Sequence, residues 1–248
     1  MIAMLLALAA AQPAPVPDET AARHCTGLVK SNPGQAVQVA SDWRIKGGGL
    51  DARQCLGLAY VALERWPAAA TEFEQAAAEA ETARDPRHAD LWVQAGNSWL
   101  AAGNAARARK AFDAALATAL LASELRGEVH LDRGRAGVAL GDLTGARADI
   151  DKGLALVPAD PFGWYLSSAL ALKEGRLARA QDDIAEAVRL APDDANLLVH
   201  AGNVAGISGE IEAARGLYAR AIKAAPNSDA ARAARTALAA NRDLPQSR

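Results

Sequence analysis

The chain has 248 residues and a net charge of −2, with 27 basic and 29 acidic side chains mixed along its length. No basic stripe offers a footprint for nucleic acid, and no run reaches the roughly 20 apolar residues that span a bilayer. Hydrophobic residues make up 51% but aromatics only 4%. Alanine fills much of the difference. Alanine is the best helix former and buries little area, which favours closely approached helices over a sheet with a thick core.

Met1 to Ala11 read MIAMLLALAAA, followed by the proline-rich stretch Gln12–Pro17. The apolar run and its small residues predict a signal peptide cleaved after Ala11, with residues 1–17 as leader and linker. The run lacks a preceding Lys or Arg, so an apolar tail on a cytoplasmic protein stays open as the alternative. Residues 18–49 hold two short helical stretches, the second restarting at Pro33 and closing at Gly47-Gly48-Gly49. Cys25 and Cys55 are the two cysteines, and no CxxC occurs. In an oxidising compartment such a pair invites a disulfide; in the cytoplasm both would be buried thiols.

Beyond residue 50 a pattern repeats. Gly57, Tyr60, Ala69, Phe73 and Ala76 are followed by Trp92, Gly96, Trp99, Ala108, Phe112 and Ala115. The third copy carries Gly134, Ala146, Ile150 and Pro158, and the fourth Trp164, Ser168, Ala180, Ile184 and Pro192. The fifth has Leu198, Gly202, Ala214, Tyr218 and Pro226. Gly134, Ser168 and Gly202 are 34 residues apart, whereas Gly57, Gly96 and Gly134 are 39 and 38 apart. The surplus falls after Ala76 and Ala115 and predicts about one added turn late in each second helix. The glycine slot, Ser168 in one copy, marks where two helices cross, with the alanine opposite. Phe73, Phe112, Ile150, Ile184 and Tyr218 are expected to fill the gap to the next copy. Prolines end the second helices, and Asp160-Pro161 restarts one. Residues 228–241 predict a polar capping helix, and 242–248 a disordered tail.

These residues at this period resemble the tetratricopeptide repeat (TPR) over about 210 residues, with 18–49 as a degenerate first repeat and 50–227 as five helix pairs. The resemblance implies an all-α fold, a right-handed superhelical solenoid of antiparallel helix pairs whose first helices line a concave face. The Cys25 and Cys55 pair, Trp43 and the triple glycine resemble small exported TPR proteins of Gram-negative bacteria. Both cysteines would lie on first helices of neighbouring repeats, where a disulfide would tie the degenerate repeat to the array.

The family's concave positions project onto Gln54, Val93, Asn97, Leu131, Arg135, Phe162, Tyr165, Asn196, Val199 and Asn203. Asn97 and Asn203 could bond a peptide backbone, Phe162, Tyr165, Val93 and Val199 supply apolar contact, and Arg135 a positive point. The family's carboxylate clamp, which holds a chain terminus, is absent: Val93 stands in a lysine slot, and Asp132 and Leu166 where Asn and Arg are needed. The four histidines, His24, His88, His130 and His200, have no metal-ligand spacing, and no nucleophile elbow or phosphate loop occurs.

The expectation is therefore a non-catalytic scaffold without cofactor or metal. It would hold a protein or peptide in the concave groove, in the periplasm or otherwise exported, and serve bacterial envelope assembly. A cytoplasmic adaptor, a hydrolase or metal-dependent enzyme with a non-local site, and self-association through the groove are the alternatives.

Overall fold

The computed structural model describes residues 19–240 of the chain. The predicted leader and linker (1–17) and the tail (242–248) lie outside them. Thirteen α-helices and no strand occur among the described residues, and the chain divides into two compact units between Ser98 and Trp99.

The first unit holds α1 (Glu19–Ser31), α2 (Pro33–Ile45), α3 (Gly49–Ala62), α4 (Trp66–Ala83) and most of α5 (His88–Ala101). Asn32 caps α2 by accepting from the Gln35 N–H at 3.2 Å, with Pro33 in the first turn, where its missing N–H costs nothing. Cys25 on α1 and Cys55 on α3 are bonded, their Cα atoms 6.3 Å apart, within a cluster completed by Ala40 and Leu56. Helices α3 and α4 cross at Gly57, where an added Cβ would lie 2.6 Å from the Phe73 ring. The buried face of α4 is almost entirely alanine (Ala69, Ala70, Ala76, Ala77 and Ala80). Arg53 on α3 fastens the pair from outside, reaching Glu72 at 3.2 Å and Glu79 at 2.7 Å.

The second unit continues with α6 (Ala105–Leu116), α7 (Ser123–Ala139), α8 (Leu143–Leu156), α9 (Pro161–Lys173) and α10 (Leu177–Leu190). It ends with α11 (Ala195–Ile207), α12 (Ile211–Ala224) and α13 (Asp229–Ala240). Helices pair as α7 with α8, α9 with α10, and α11 with α12, and each pair packs on the next. The turns inside the pairs place Gly141, Gly175 and Gly209 at φ of 79°, 70° and 81°, a left-handed conformation that costs glycine no Cβ clash. Asp160 caps α9 through the Phe162 N–H and Asp194 caps α11 through those of Asn196 and Leu197.

One expectation about packing is extended and another corrected. The large residues of the second helices lie over the glycine slot of their own pair: a Cβ on Gly134 would meet Ile150 at 2.7 Å, and one on Gly202 would meet Tyr218 at 2.6 Å. The absent side chain makes the hole that the large one fills. As expected, the large residues also reach the next element: Ile150 shares a cluster with Leu170 of α9, Ile184 with Leu197 and Val204 of α11, and Tyr218 with Ala230 and Ala234 of α13. The correction concerns the surplus residues. Helix α4 does gain a turn, with 18 residues against 14 in α8, α10 and α12. After Ala115, however, α6 stops at 12 residues; the surplus forms a turn and lengthens α7 to 17 residues, against 13 in α9 and α11.

Two pairs carry polar clamps. The residue before the glycine slot is Arg133 on α7 and Ser167 on α9, and the residue before the large side chain is Asp149 on α8 and Asp183 on α10. Arg133 donates to both Asp149 oxygens at 2.9 and 2.6 Å and to Asp113 at 2.8 Å, while His130 Nδ1 lies 3.1 Å from Asp149. Ser167 Oγ donates to Asp183 at 2.5 Å and accepts from Arg147, which also reaches Glu174. At Ser168 a hydroxyl fits the glycine slot because it donates to the Ala180 carbonyl at 2.8 Å.

Burial pushes the Asp149 carboxyl up, but the hydrogen bonds from His130 and Arg133 and their charges outweigh it and hold it at about 2. A folded pKa below the unfolded value stabilises above about pH 4, and that contribution fades as pH falls toward 2. Two pH units of depression correspond to about 2–3 kcal/mol at neutral pH. Asp149→Asn is thus expected to unfold at lower urea than the wild type at pH 7, with the gap closing by pH 2. A gap independent of pH in urea titrations would count against the clamp.

Candidate functional site

In the second unit, the first helices α7, α9 and α11 and the terminal α13 present a connected row of side chains. On α7, Glu128, Asp132 and Arg135 follow one another at spacings of four and three, so they share a face. Phe162 and Tyr165 do so on the first turns of α9, and Asn196, Val199, His200 and Asn203 on α11. Arg135 bonds Asp132 at 2.7 Å and lies 5.4 Å from the Phe162 ring centroid. Phe162 and Tyr165 stack at 5.8 Å, and Tyr165 meets His200 edge-on at 4.9 Å. One ladder thus runs Arg135, Phe162, Tyr165, His200 across three successive first helices. Phe162 remains 42% exposed at its centre.

His200 Nε2 lies 3.0 Å from Ser168 Oγ. The serine proton is already given to the Ala180 carbonyl, so Nε2 carries the imidazole proton and donates. Burial pushes the His200 pKa down, favouring this neutral form. Its Nδ1 then has no partner among the described residues and remains an acceptor.

Two shallow concavities flank Tyr165 and Asn196. One of about 340 Å³ is bounded by Phe162, Asp194 and Leu197, and one of about 300 Å³ by Val199, His200, Asn203 and Asp229. A larger space of about 450 Å³ lies between α10, α11 and α12, lined by Ile184, Val188 and Leu217, and holds none of the projected residues.

The projected positions divide. Arg135, Phe162, Tyr165, Asn196, Val199 and Asn203 come together here. Asn97 belongs to the first unit, where it is exposed, and Gln54 is half-buried there. Val93 is corrected: it is 7% exposed and sits in the core, because a branched apolar side chain one turn from Asn97 gains more from burial than from water. Leu131 is corrected too. At 2% exposure it fills the space that Gly153 and Gly163 leave, where added Cβ atoms would stand 2.7 and 3.0 Å from it. Asn203 has a second task, since its Oδ1 accepts from the buried Tyr218 hydroxyl at 2.8 Å. His200 and Asp194 were not among the projected residues. The signal for them was present: each adjoins a projected position or caps the helix that bears it.

The histidines are dispersed. His24 is exposed, His88 Nδ1 faces the Asp85 carbonyl at 2.9 Å, and His130 and His200 are engaged as described. No group of three His, Cys, Asp or Glu that could hold a metal ion occurs among the described residues. No described helix is long and apolar enough to cross a membrane.

Residues 56–119, 100–161 and 168–229 each match the tetratricopeptide repeat, together more than half of the chain. The chain belongs to the tetratricopeptide-repeat family. Among solved structures, this TPR protein is similar to PilW, described as a widely conserved type IV pilus biogenesis factor. The TM-score is 0.73 at 19% identity, covering 89% of this chain and 97% of that one. It is also similar to PilF of Pseudomonas aeruginosa (TM-score 0.69, 17% identity, 90% and 96% covered). A chain of the APC/C hetero-tetramer Cut9–Hcn1 matches at TM-score 0.65 and 16% identity over 89% of this chain, which spans 42% of that one. At these identities the likeness is one of fold. No curated protein sequence matches the chain.

Proposed function

We propose that this TPR protein is a non-catalytic scaffold that holds an extended protein segment along α7, α9 and α11, in bacterial envelope assembly. The exposed ladder Arg135–Phe162–Tyr165–His200, with concavities on both sides of Tyr165, carries the reading. It offers aromatic faces for side chains, and Asn196 and His200 Nδ1 for backbone groups. Stacked or edge-on aromatics left open to solvent are the residue type that dominates binding energy at interfaces. Export is supported by the leader-like residues 1–11 and by a Cys25–Cys55 bond of the kind that persists in oxidising compartments; the likeness in fold to PilW and PilF agrees with it.

Phe162→Ala combined with Asn196→Ala should weaken capture of the partner about ten-fold or more, equivalent to about 1.4 kcal/mol. Neither side chain supports the core, so the melting temperature should fall by no more than about 3 °C. Asn203 is unsuitable for this test, because its loss would strand the buried Tyr218 hydroxyl. Unchanged partner affinity in the double variant would remove binding from this face. Sedimentation at several concentrations distinguishes a foreign partner from a second copy of the chain.

A further inference from the structure

The charges on this face are unbalanced, although the chain as a whole is nearly neutral. Elsewhere in the second unit, carboxylates on the helix faces are commonly met by arginine: Asp142 by Arg109, Asp149 by Arg133, Glu174 by Arg147, Glu186 by Arg189, Glu212 by Arg215 and Asp229 by Arg232. Along the α7–α9–α11 face the pattern breaks. Arg135 is taken by Asp132, while Glu124, Glu128, Asp160 and Asp194 have no cationic partner among the described residues. The Glu128 carboxyl is pushed up by burial and then by the charges of Glu124, Asp160 and Asp132. Asp194 uses Oδ1 for the α11 cap and leaves Oδ2 free at the rim of the concavity that Phe162 and Tyr165 line.

Aromatic faces next to unpaired carboxylates suit a cation that is both flat and charged. Arg135 demonstrates the chemistry within the protein itself, its guanidinium lying over Phe162 while bonded to Asp132.

Resting on the reading of this face as the partner site, we infer that the bound segment is a basic one, placing an arginine or lysine side chain between the Phe162–Tyr165 pair and the carboxylates of Glu128, Asp160 and Asp194. An acidic segment would meet repulsion from four uncompensated carboxylates, so the same charges also select against the wrong partner. Unlike a purely apolar groove, the face binds in a salt-dependent way and draws the segment in over several ångströms.

The test uses the purified full chain and short fluorescent glycine–serine peptides carrying several arginines, several glutamates or neither, followed by anisotropy at low and high salt. The arginine peptide should bind at least about ten-fold more tightly than the glutamate peptide and lose affinity with salt. Glu128→Gln/Asp160→Asn/Asp194→Asn should abolish that preference. It should stay folded, because asparagine caps a helix about as well as aspartate. A control with the same change in charge, Asp90→Asn/Asp182→Asn/Glu212→Gln, should leave the preference intact.

Equal affinity for the three peptides would overturn the inference while leaving a charge-indifferent groove. A control that loses as much as the groove variant would overturn it as well, reducing the preference to diffuse attraction. If none of the peptides binds, the inference also fails. The Phe162→Ala/Asn196→Ala measurement then decides separately whether the face is a partner site.

Discussion

Arg147→Ala is expected to lower the stability of the second unit by about 3–5 kcal/mol, the usual consequence of stranding one half of a buried ion pair. Arg147 is only 9% exposed. It donates to Ser167 Oγ at 2.7 Å, to the Ser167 carbonyl at 3.1 Å and to Glu174 at 3.0 Å. Removing it leaves the half-buried Glu174 with only Arg176, 3.7 Å away. It also removes the shorter of two outer donors from the buried Ser167–Asp183 pair, leaving Arg179, whose Nε is 3.4 Å from Asp183. The clamp joins α8 to the following pair, so its loss should loosen α9 against α8 before the rest of the unit. Urea denaturation of Arg147→Ala, Glu174→Ala and the double variant measures this. The doubly substituted protein should be destabilised by less than the two single losses added together. Additive effects, or a loss below about 1 kcal/mol, would show that the guanidinium is solvated and not a clamp.

Breaking the Cys25–Cys55 bond is the second large effect. The bond closes a loop of 30 residues, for which restriction of the unfolded chain corresponds to about 3–4 kcal/mol. Both cysteines are buried, at 0% and 3% exposure, among Ala40, Leu56 and Trp43. Cys25→Ala/Cys55→Ala keeps that surrounding apolar and isolates the effect of the bond. Helix α1 has few other ties, since among the described elements it packs with substantial contact only on α2 and α3, whereas α2 packs broadly on α3. The expected result is therefore local: amides of α1 exchange much faster in hydrogen-exchange measurements, while α9 to α12 keep their protection. Reduced wild type should behave like the double variant. Unaltered protection of α1 would mean that the small cluster around Trp43 holds this end of the chain without the cross-link.

Most of the fold was legible in the chain. The period of glycine, alanine and aromatic slots, the capping residue Asp160, and the helix-ending prolines are local signals, each acting within a few turns. They correctly indicate an all-α fold of paired helices. The surplus of residues between the early copies was visible too, but not its destination. In α4 a run of alanines continues the helix for a turn. After Ala115 the chain instead turns at residues 117–122 and adds its turn to α7.

The candidate site was legible only in part. Repeat position marked Arg135, Phe162, Tyr165, Asn196, Val199 and Asn203, and did so equally for Val93 and Leu131, which are buried. The same slot can face solvent in one copy and the core in another, because its exposure depends on neighbours far away in sequence. Leu131 goes inward on account of Gly153 and Gly163, both on other helices.

By itself, then, the sequence determined the class of fold, the positions of the helix crossings and the absence of local catalytic motifs, since all three rest on residues close together in the chain. Only the tertiary structure decided which projected side chains reach water, that Arg133 finds Asp149 and Arg147 finds Glu174, and that four carboxylates on one face find no arginine among the described residues. Those are questions of pairing across helices. Burial and charge compensation are set by what the folded chain brings within a few ångströms, and spacing along one helix does not carry that information.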